Sequence, residues 1–472
     1  EFTYSANSVT TDIFEIYDEA SLRQFASIAP SFAPYKSAKL MENIDLTGKE
    51  WITIEGFGAY EFDGNGKKII GLTAPLFGTT NASIKNLHLE NLDLNITDAR
   101  HIVGGIACVL RSTAEATAKL EGCSVSGKVT FATTYAAATE KDAEMAVSPM
   151  VAQAFGAQIS NCQNNASITV TAASAPSQKN TYMCVAGIVG YMNKADDATE
   201  EPLLTNCVNN ESATILWEEA TVSSTKHSPY IAGVVGRYVC ANGISNCTNH
   251  ADVTVKSNIN VANIGGVCGY IYVNETSKLY NYGDVTLDAK TAYSYWGGVI
   301  GSCYDNVMSV TNCENYGKVE FGANASCTHR NYIGGIMGTS QSTGATYSNL
   351  KNHGTIASYG DNADARFFVG GVIGYCWKVG ELSNCINGAE GDATKGKIIV
   401  GGTVGQSNEE YYTNIGGVVG YFYPSGGTYL LKSCTNYAPM SLGFTTAGTY
   451  NYNIGGVAGY SNRGVGEECH NY

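Results

Sequence analysis

Short runs in which every second residue is apolar recur along the chain, as in Asp252-Val253-Thr254-Val255, Asp284-Val285-Thr286-Leu287 and Lys318-Val319-Glu320-Phe321. Alternation with period two predicts strands with one face turned to a core. Two further phrases alternate with these runs. The first is glycine-rich with an apolar pair inside it, as in Ile264-Gly265-Gly266-Val267-Cys268-Gly269-Tyr270 and Ile415-Gly416-Gly417-Val418-Val419-Gly420-Tyr421, and nine copies occur, starting at 104, 186, 232, 265, 297, 334, 370, 416 and 455. The second reads apolar-x-Asn-Cys-x-Asn, as in Ile244–Asn249, Val310–Asn315 and Leu382–Asn387. Successive glycine phrases at 265, 297, 334 and 370 lie 32, 37 and 36 residues apart. Phrases in fixed order with uneven spacing predict stacked coils whose insertions fall in loops. The expectation is an all-β chain, a right-handed parallel β-helix (β-solenoid) of about ten coils, with the glycine phrase, the Asn-Cys phrase and the alternating run as the three strands of each coil.

The glycines are read as a column where the backbone bends or packs too closely for a Cβ. They precede no helix and no Lys-Ser or Lys-Thr, so a phosphate loop is disfavoured. Two residues after each cysteine or its substitute stand nine asparagines, among them Asn249, Asn281, Asn315 and Asn352. Asparagine tolerates the left-handed conformation and bonds nearby backbone, which predicts a turn-lining ladder along the stack. Eight of the 15 cysteines share one repeat position, including Cys247 and Cys313, and Leu279 and Leu350 occupy that position in two repeats. A site that accepts leucine is a buried apolar slot. These cysteines are therefore expected to be reduced packing residues. No CxxC pair suggests zinc.

Before the repeats, Phe14-Glu15-Ile16 reads as a strand, and Asp18–Ala26 as a helix with an acidic start. The predicted division is 1–45 as a strand-helix cap and 46–472 as the solenoid. Asp63-Gly64-Asn65-Gly66 is a turn between strands and lacks the spaced acids of a calcium loop. At Ser148-Pro149-Met150-Val151 the glycines are lost, which predicts an irregular coil. The last phrase breaks off at Tyr472, and an exposed last coil is a sticky edge; a further coil, domain or capping partner is expected there.

The formal charge of −14, with 15% charged residues, disfavours a nucleic-acid partner, which calls for a basic face. No apolar run approaches the ~20 residues of a membrane-spanning helix. Polysaccharide-cleaving β-helices need two convergent carboxylates. Asp252 and Asp284 are equivalent positions, but Lys318 and Thr355 follow in the same column, which suits a surface turn better than a catalytic pair. Asp196-Asp197 and Glu409-Glu410 read as solvated loops. No catalytic residue, metal ligand or cofactor is assigned.

Two aromatic columns are candidates for binding. One follows the ladder asparagine, with His250, Tyr282, Tyr316, His353, Tyr437 and Tyr472; the other follows the glycine phrase, with Tyr191, Tyr270, Tyr375, Tyr421 and Tyr460, interrupted by Arg237, Ser302 and Thr339. The first is preferred. Tyr282, Tyr316, His353 and Tyr437 are the candidate ligand-binding residues, with rings offered to a sugar or to an apolar strip.

The segment from Ile16 through Ile44-Asp45-Leu46, Trp51, Asp63-Gly64-Asn65-Gly66 and Leu76-Phe77-Gly78, followed by Gly-Gly-Val-x-Gly and Asn-Cys-x-Asn units, resembles the GLUG-motif β-solenoids. These occur in large surface proteins of gut Bacteroidetes and Firmicutes and in non-catalytic regions of immunoglobulin-A peptidases. The resemblance implies a bacterial cell-surface setting and a non-catalytic role, either adhesion to a glycan or host-surface protein or service as a stalk. It carries no catalytic residues.

Overall fold

A computed structural model describes residues 12–472 apart from 34, 99, 133–134, 137–144, 172–173, 176–180, 219–226, 305–307, 406–411, 425–429, 447–451 and 463–464. Glu409 and Glu410 thus lie outside the described residues, as do residues 1–11 of the expected cap. What is described is almost entirely β, with a single α-helix, Glu19–Ile28, and one 3₁₀ turn. Within the stack, strands pair in parallel with their equivalents one repeat before and after, and those at its ends pair on one side. Val253–Val255, for example, lies between Ile215–Trp217 and Val285–Leu287. The strands gather into stacked sheets of 32, 11 and 13 members, with a small two-stranded sheet beside them. This arrangement fits a parallel β-solenoid.

One repeat illustrates the path. Ile259–Gly265 belongs to the 13-stranded sheet, Cys268–Tyr272 to the 11-stranded sheet, and Glu275–Asn281 and Val285–Leu287 to the broad one. The glycine phrase is therefore not one strand, as the sequence suggested, but a corner joining two. A Cβ on Gly266 would lie 2.2 Å from both the Asn281 carboxamide carbon and the Gly298 carbonyl oxygen, and one on Gly265 2.1 Å from the Cys268 carbonyl oxygen. At Gly265 and Gly266 the approach leaves no room for a side chain. The apolar members Ile264, Val267, Leu279, Val285 and Leu287 face inward and are fully buried, so the period-two pattern maps onto the core as expected.

Ser148 and Pro149 replace the corner glycines without the predicted irregularity. Met145–Ser148 and Val151–Phe155 keep parallel register with both neighbours. The Ser148 hydroxyl donates to the Ile188 carbonyl at 2.9 Å and accepts from the Met150 N–H at 3.1 Å, so a side chain stabilises the corner that glycine permits elsewhere. The Asp63–Gly66 turn links consecutive strands that do not pair with each other, Glu61–Asp63 and Lys68–Ile70. It is no hairpin, although Asn65 and Gly66 take the expected positive φ of 53° and 68°.

At the first end the helix lies against the core. The Asp18 carboxylate accepts from the Ser21 N–H at 2.8 Å, a capping interaction. Phe25 is fully buried among Phe14, Phe32, Phe57 and Phe62, with ring centroids 5.0–6.1 Å apart. At the other end Ile454 is 47% exposed.

Candidate functional site

The asparagine column forms a continuous internal chain. Each amide nitrogen donates to the next oxygen, Asn164 to Asn209, then to Asn249, Asn281, Asn315, Asn352, Asn387, Asn436 and Asn471, at 2.8–2.9 Å. The other amide proton bonds a local carbonyl, such as Gly283 for Asn281 and Gly317 for Asn315. These residues are buried from Asn164 to Asn436 and span the interior to the glycine corner. They do not take the left-handed conformation expected of them. That falls to the asparagine before the cysteine: Asn161, Asn206, Asn246, Asn312, Asn349 and Asn384 have φ of 51–56°, and Lys278 and Ser433 replace it with the same geometry. The two asparagines of one phrase divide the work, one turning the chain and the other bonding along the stack.

All 15 cysteines are free. Cys247 and Cys313 are fully buried, and Cys247 stands in register with Leu279. Burial pushes the Cys313 thiol up to about 12, so it is protonated and a poor nucleophile at neutral pH.

The preferred aromatic column is a strip of rings on the surface. His250, Tyr282, Tyr316 and His353 stack in succession with centroids 4.8 Å apart and planes within 2–20°. Tyr437 and Tyr472 form a separate pair at 5.2 Å. Tyr282 and Tyr316 are 45% and 41% exposed. The ring faces, which the sequence reading offered to a ligand, are occupied by the neighbouring rings because the coil spacing equals the stacking distance; edges and hydroxyls remain. The Tyr316 hydroxyl donates to the Glu314 carboxylate, which raises its pKa. Burial lowers the His353 pKa, only partly opposed by Glu314, so this imidazole is neutral at pH 7.

The second column, set aside in the sequence, forms half of a larger feature. Tyr191, Arg237, Tyr270, Ser302, Thr339, Tyr375, Tyr421 and Tyr460 stand in register. On the strand before the glycine corner, Tyr230, Asn263, Tyr295, Tyr332, Phe368 and Asn414 form an opposing column. The outer faces of the two strands fold toward each other across the corner. The Ser302 hydroxyl donates to the Asn263 side-chain oxygen at 2.6 Å, the Tyr332 and Tyr375 rings lie 4.7 Å apart, and Phe368 meets Tyr421 at 5.2 Å. This aromatic seam is separate from the main core. Its signal in the sequence was an aromatic two residues before the first glycine, visible at Tyr295, Tyr332 and Phe368. The glycine corner touches the asparagine ladder from one side and Tyr282 follows the ladder on the other, so strip and seam occupy opposite sides of the repeat.

The carboxylates considered for catalysis have backbone roles. Asp252 accepts from the Asp284 N–H at 2.8 Å, and Asp284 from the Lys318 N–H at 2.7 Å. Asp197 pairs with Arg111 at 2.9 Å. Two surface cavities, of about 330 and 350 Å³, each hold one carboxylate, Glu201 and Glu275 respectively. No group of three metal-ligating side chains occurs among the described residues, and no described helix is long and apolar enough to cross a membrane.

No protein-family model matches the chain, and no curated protein matches it. Among solved structures, that of a candidate immunoglobulin A1 protease from Bacteroides ovatus is similar at 15% identity and a TM-score of 0.31, over 73% of this chain and 77% of that one. A likeness of this size bears on neither fold nor activity.

Proposed function

We propose that the chain is a right-handed parallel β-solenoid of about ten coils that acts as a non-catalytic binding module at a bacterial cell surface, contacting a glycan or host-surface protein. The resemblance to GLUG-motif proteins supplies the setting. The observation that carries the binding role is the His250–Tyr282–Tyr316–His353 strip, exposed at its first three members and half-buried at His353. Tyrosine offers an amphipathic surface at small entropic cost, and here the rings are already fixed by stacking. The partner meets a row of ring edges and hydroxyls.

Replacing Tyr282 and Tyr316 together by alanine is expected to weaken binding to a glycan or host-surface array about tenfold, with the melting temperature nearly unchanged, a loss of about 1.4 kcal/mol. Undiminished binding by the double variant would remove the strip from consideration. A second reading, a stalk that displays other domains, is favoured by the continuous asparagine chain, which ties each coil to the next. Absence of any array binding by the unaltered chain supports the stalk.

A further inference from the structure

The cavity of about 350 Å³ that holds Glu275 lies on the outer face of the strands leading into the Asn-Cys turn. Four hydroxyl side chains, Ser245, Ser277, Ser309 and Thr311, line it together with Leu203 and Glu275. Glu275 stands in register with Ser309, and Ser277 with both Ser245 and Thr311. The depression has its origin in Gly243, one step before the paired Leu204 and Ile244. A Cβ on Gly243 would lie 1.5 Å from the Glu275 carbonyl oxygen, so the outer row lacks a side chain at this coil. The short residues beside it leave the gap open. Its backbone is held in place from within: the Thr276 hydroxyl donates to the Ile244 carbonyl at 2.6 Å, and the Tyr238 hydroxyl to the Asn242 carbonyl at 2.8 Å.

The cavity interrupts a longer row. Ser160, Thr205, Ser245, Ser277, Thr311, Ser348 and Ser383 stand in register over seven coils. Six inter-strand steps of ~4.8 Å make the row about 29 Å long. All but the buried Ser383 are half-buried, and the Thr205 and Ser245 hydroxyl oxygens are 3.1 Å apart. Glu121 precedes the row and Lys432 follows it in the same register, so an uncharged stretch is bounded by charge at both ends. The backbone groups of these strands are taken up by the parallel ladder, which leaves recognition to the side chains. A hydroxyl both donates and accepts. A row of them matches a ligand that is itself a row of hydroxyls better than it matches an ion or an extended peptide.

We propose that this row binds a neutral polysaccharide laid along the stack, with the Gly243 cavity taking one sugar ring. The exposed Glu275 carboxylate accepts from two neighbouring hydroxyls of that ring, the stronger kind of hydrogen bond because the acceptor is charged. Ser245, Ser277, Ser309 and Thr311 exchange hydrogen bonds with the others, and Leu203 meets C–H groups, the mixture of apolar wall and few polar groups that small-ligand sites share. Glu275 and the net charge of −14 turn acidic sugars away. This gives the glycan of the binding reading a class, yet rests on residues other than the strip: the row precedes the Asn-Cys turn, and Tyr282 and Tyr316 follow it.

The test is calorimetric titration of the whole chain with laminarin, xyloglucan, galactomannan and mannan, each beside polygalacturonic acid. At least one neutral polysaccharide is expected to bind, and the acidic one is not. Ser245→Ala, Ser277→Ala and Thr311→Val together remove three hydroxyls at little change in shape, and are expected to weaken binding tenfold or more with the melting temperature nearly unchanged. Glu275→Gln, at an exposed position, is expected to cost about tenfold and decides even if the triple variant fails to fold. Tyr282→Ala with Tyr316→Ala is expected to leave this binding unchanged. The proposal is overturned if no neutral polysaccharide binds, if the hydroxyl and Glu275 variants bind undiminished, or if polygalacturonic acid binds as tightly. Loss in the tyrosine variant alone counts for the strip and against this site.

Discussion

Tyr282 and Tyr316 stack with centroids 4.8 Å apart and planes 2° from parallel; Tyr332 and Phe368 stack at 4.9 Å and 3°. The geometry is the same, yet the first pair is 45% and 41% exposed and the second 2% and 0%. Ring spacing is imposed by the strand spacing and is common to both. Burial depends on the wall. On the asparagine turn the rings stay open to solvent, whereas at the glycine corner the outer faces of two strands converge and Tyr375 and Tyr421 close over Tyr332 and Phe368. A stacked pair thus contributes mainly through the surface it removes from water, at roughly 25 cal/mol per Å², and little through stacking itself.

The strongest way to break the contrast is to remove the corner. A Cβ on Gly417 would lie 1.9 Å from the Gly456 carbonyl oxygen and 2.5 Å from the Asn436 carboxamide carbon. Gly417→Val is therefore expected to cost about 4 kcal/mol or more, at the upper end for single substitutions. Val418→Ile, one methylene in the buried core, should cost about 1–3 kcal/mol. Thermal melting of the pair decides, and equal midpoints would contradict the close-approach account.

Next in size is the seam floor. Phe368→Ala should cost about 3–5 kcal/mol, as for buried phenylalanines elsewhere, against about 0.5 kcal/mol for Tyr282→Ala on the strip. Denaturant titration of both variants measures the comparison directly. Similar losses would show that stacking, not burial, is the main term.

The cysteine column offers an internal control, since it is buried without rings. Cys313→Ser should cost about 1–3 kcal/mol by burying a hydroxyl in an apolar slot, while Cys313→Leu should be tolerated because Leu279 and Leu350 are fully buried in the same column. Thiol titration of the denatured chain without reductant, with mass mapping, is expected to find Cys207 and Cys247 unbridged. A Cys207–Cys247 disulfide would contradict the packing role.

Much of this architecture was legible because each phrase carries its own constraint. Period-two runs indicated strands, the repeat order indicated parallel stacking, and leucine at two cysteine positions indicated burial. The division of labour within a phrase was not legible. Two asparagines three residues apart, such as Asn246 and Asn249, have the same chemistry, and only the backbone distinguishes the left-handed one from the bonded one. The seam was hidden for a different reason. Its two columns lie on either side of a corner, so Tyr332 and Tyr375 are distant in sequence and belong to different sheets. No periodicity within one phrase reports that they touch. The strip, by contrast, was legible as a column; that its rings stack on one another and turn edges and hydroxyls outward depends on the spacing between strands, which the order of residues does not carry.

The asparagine chain also has a direction. All eight of its amide-to-amide bonds run from the earlier residue to the later one, as do the parallel strands around it. Duplicating or deleting a whole coil preserves every donor and acceptor, because each unit receives on one side what it gives on the other. An inverted coil would meet its neighbours donor against donor and acceptor against acceptor. The molecule is in this sense a one-way lattice, whose length can change by whole units through recombination while its polarity cannot.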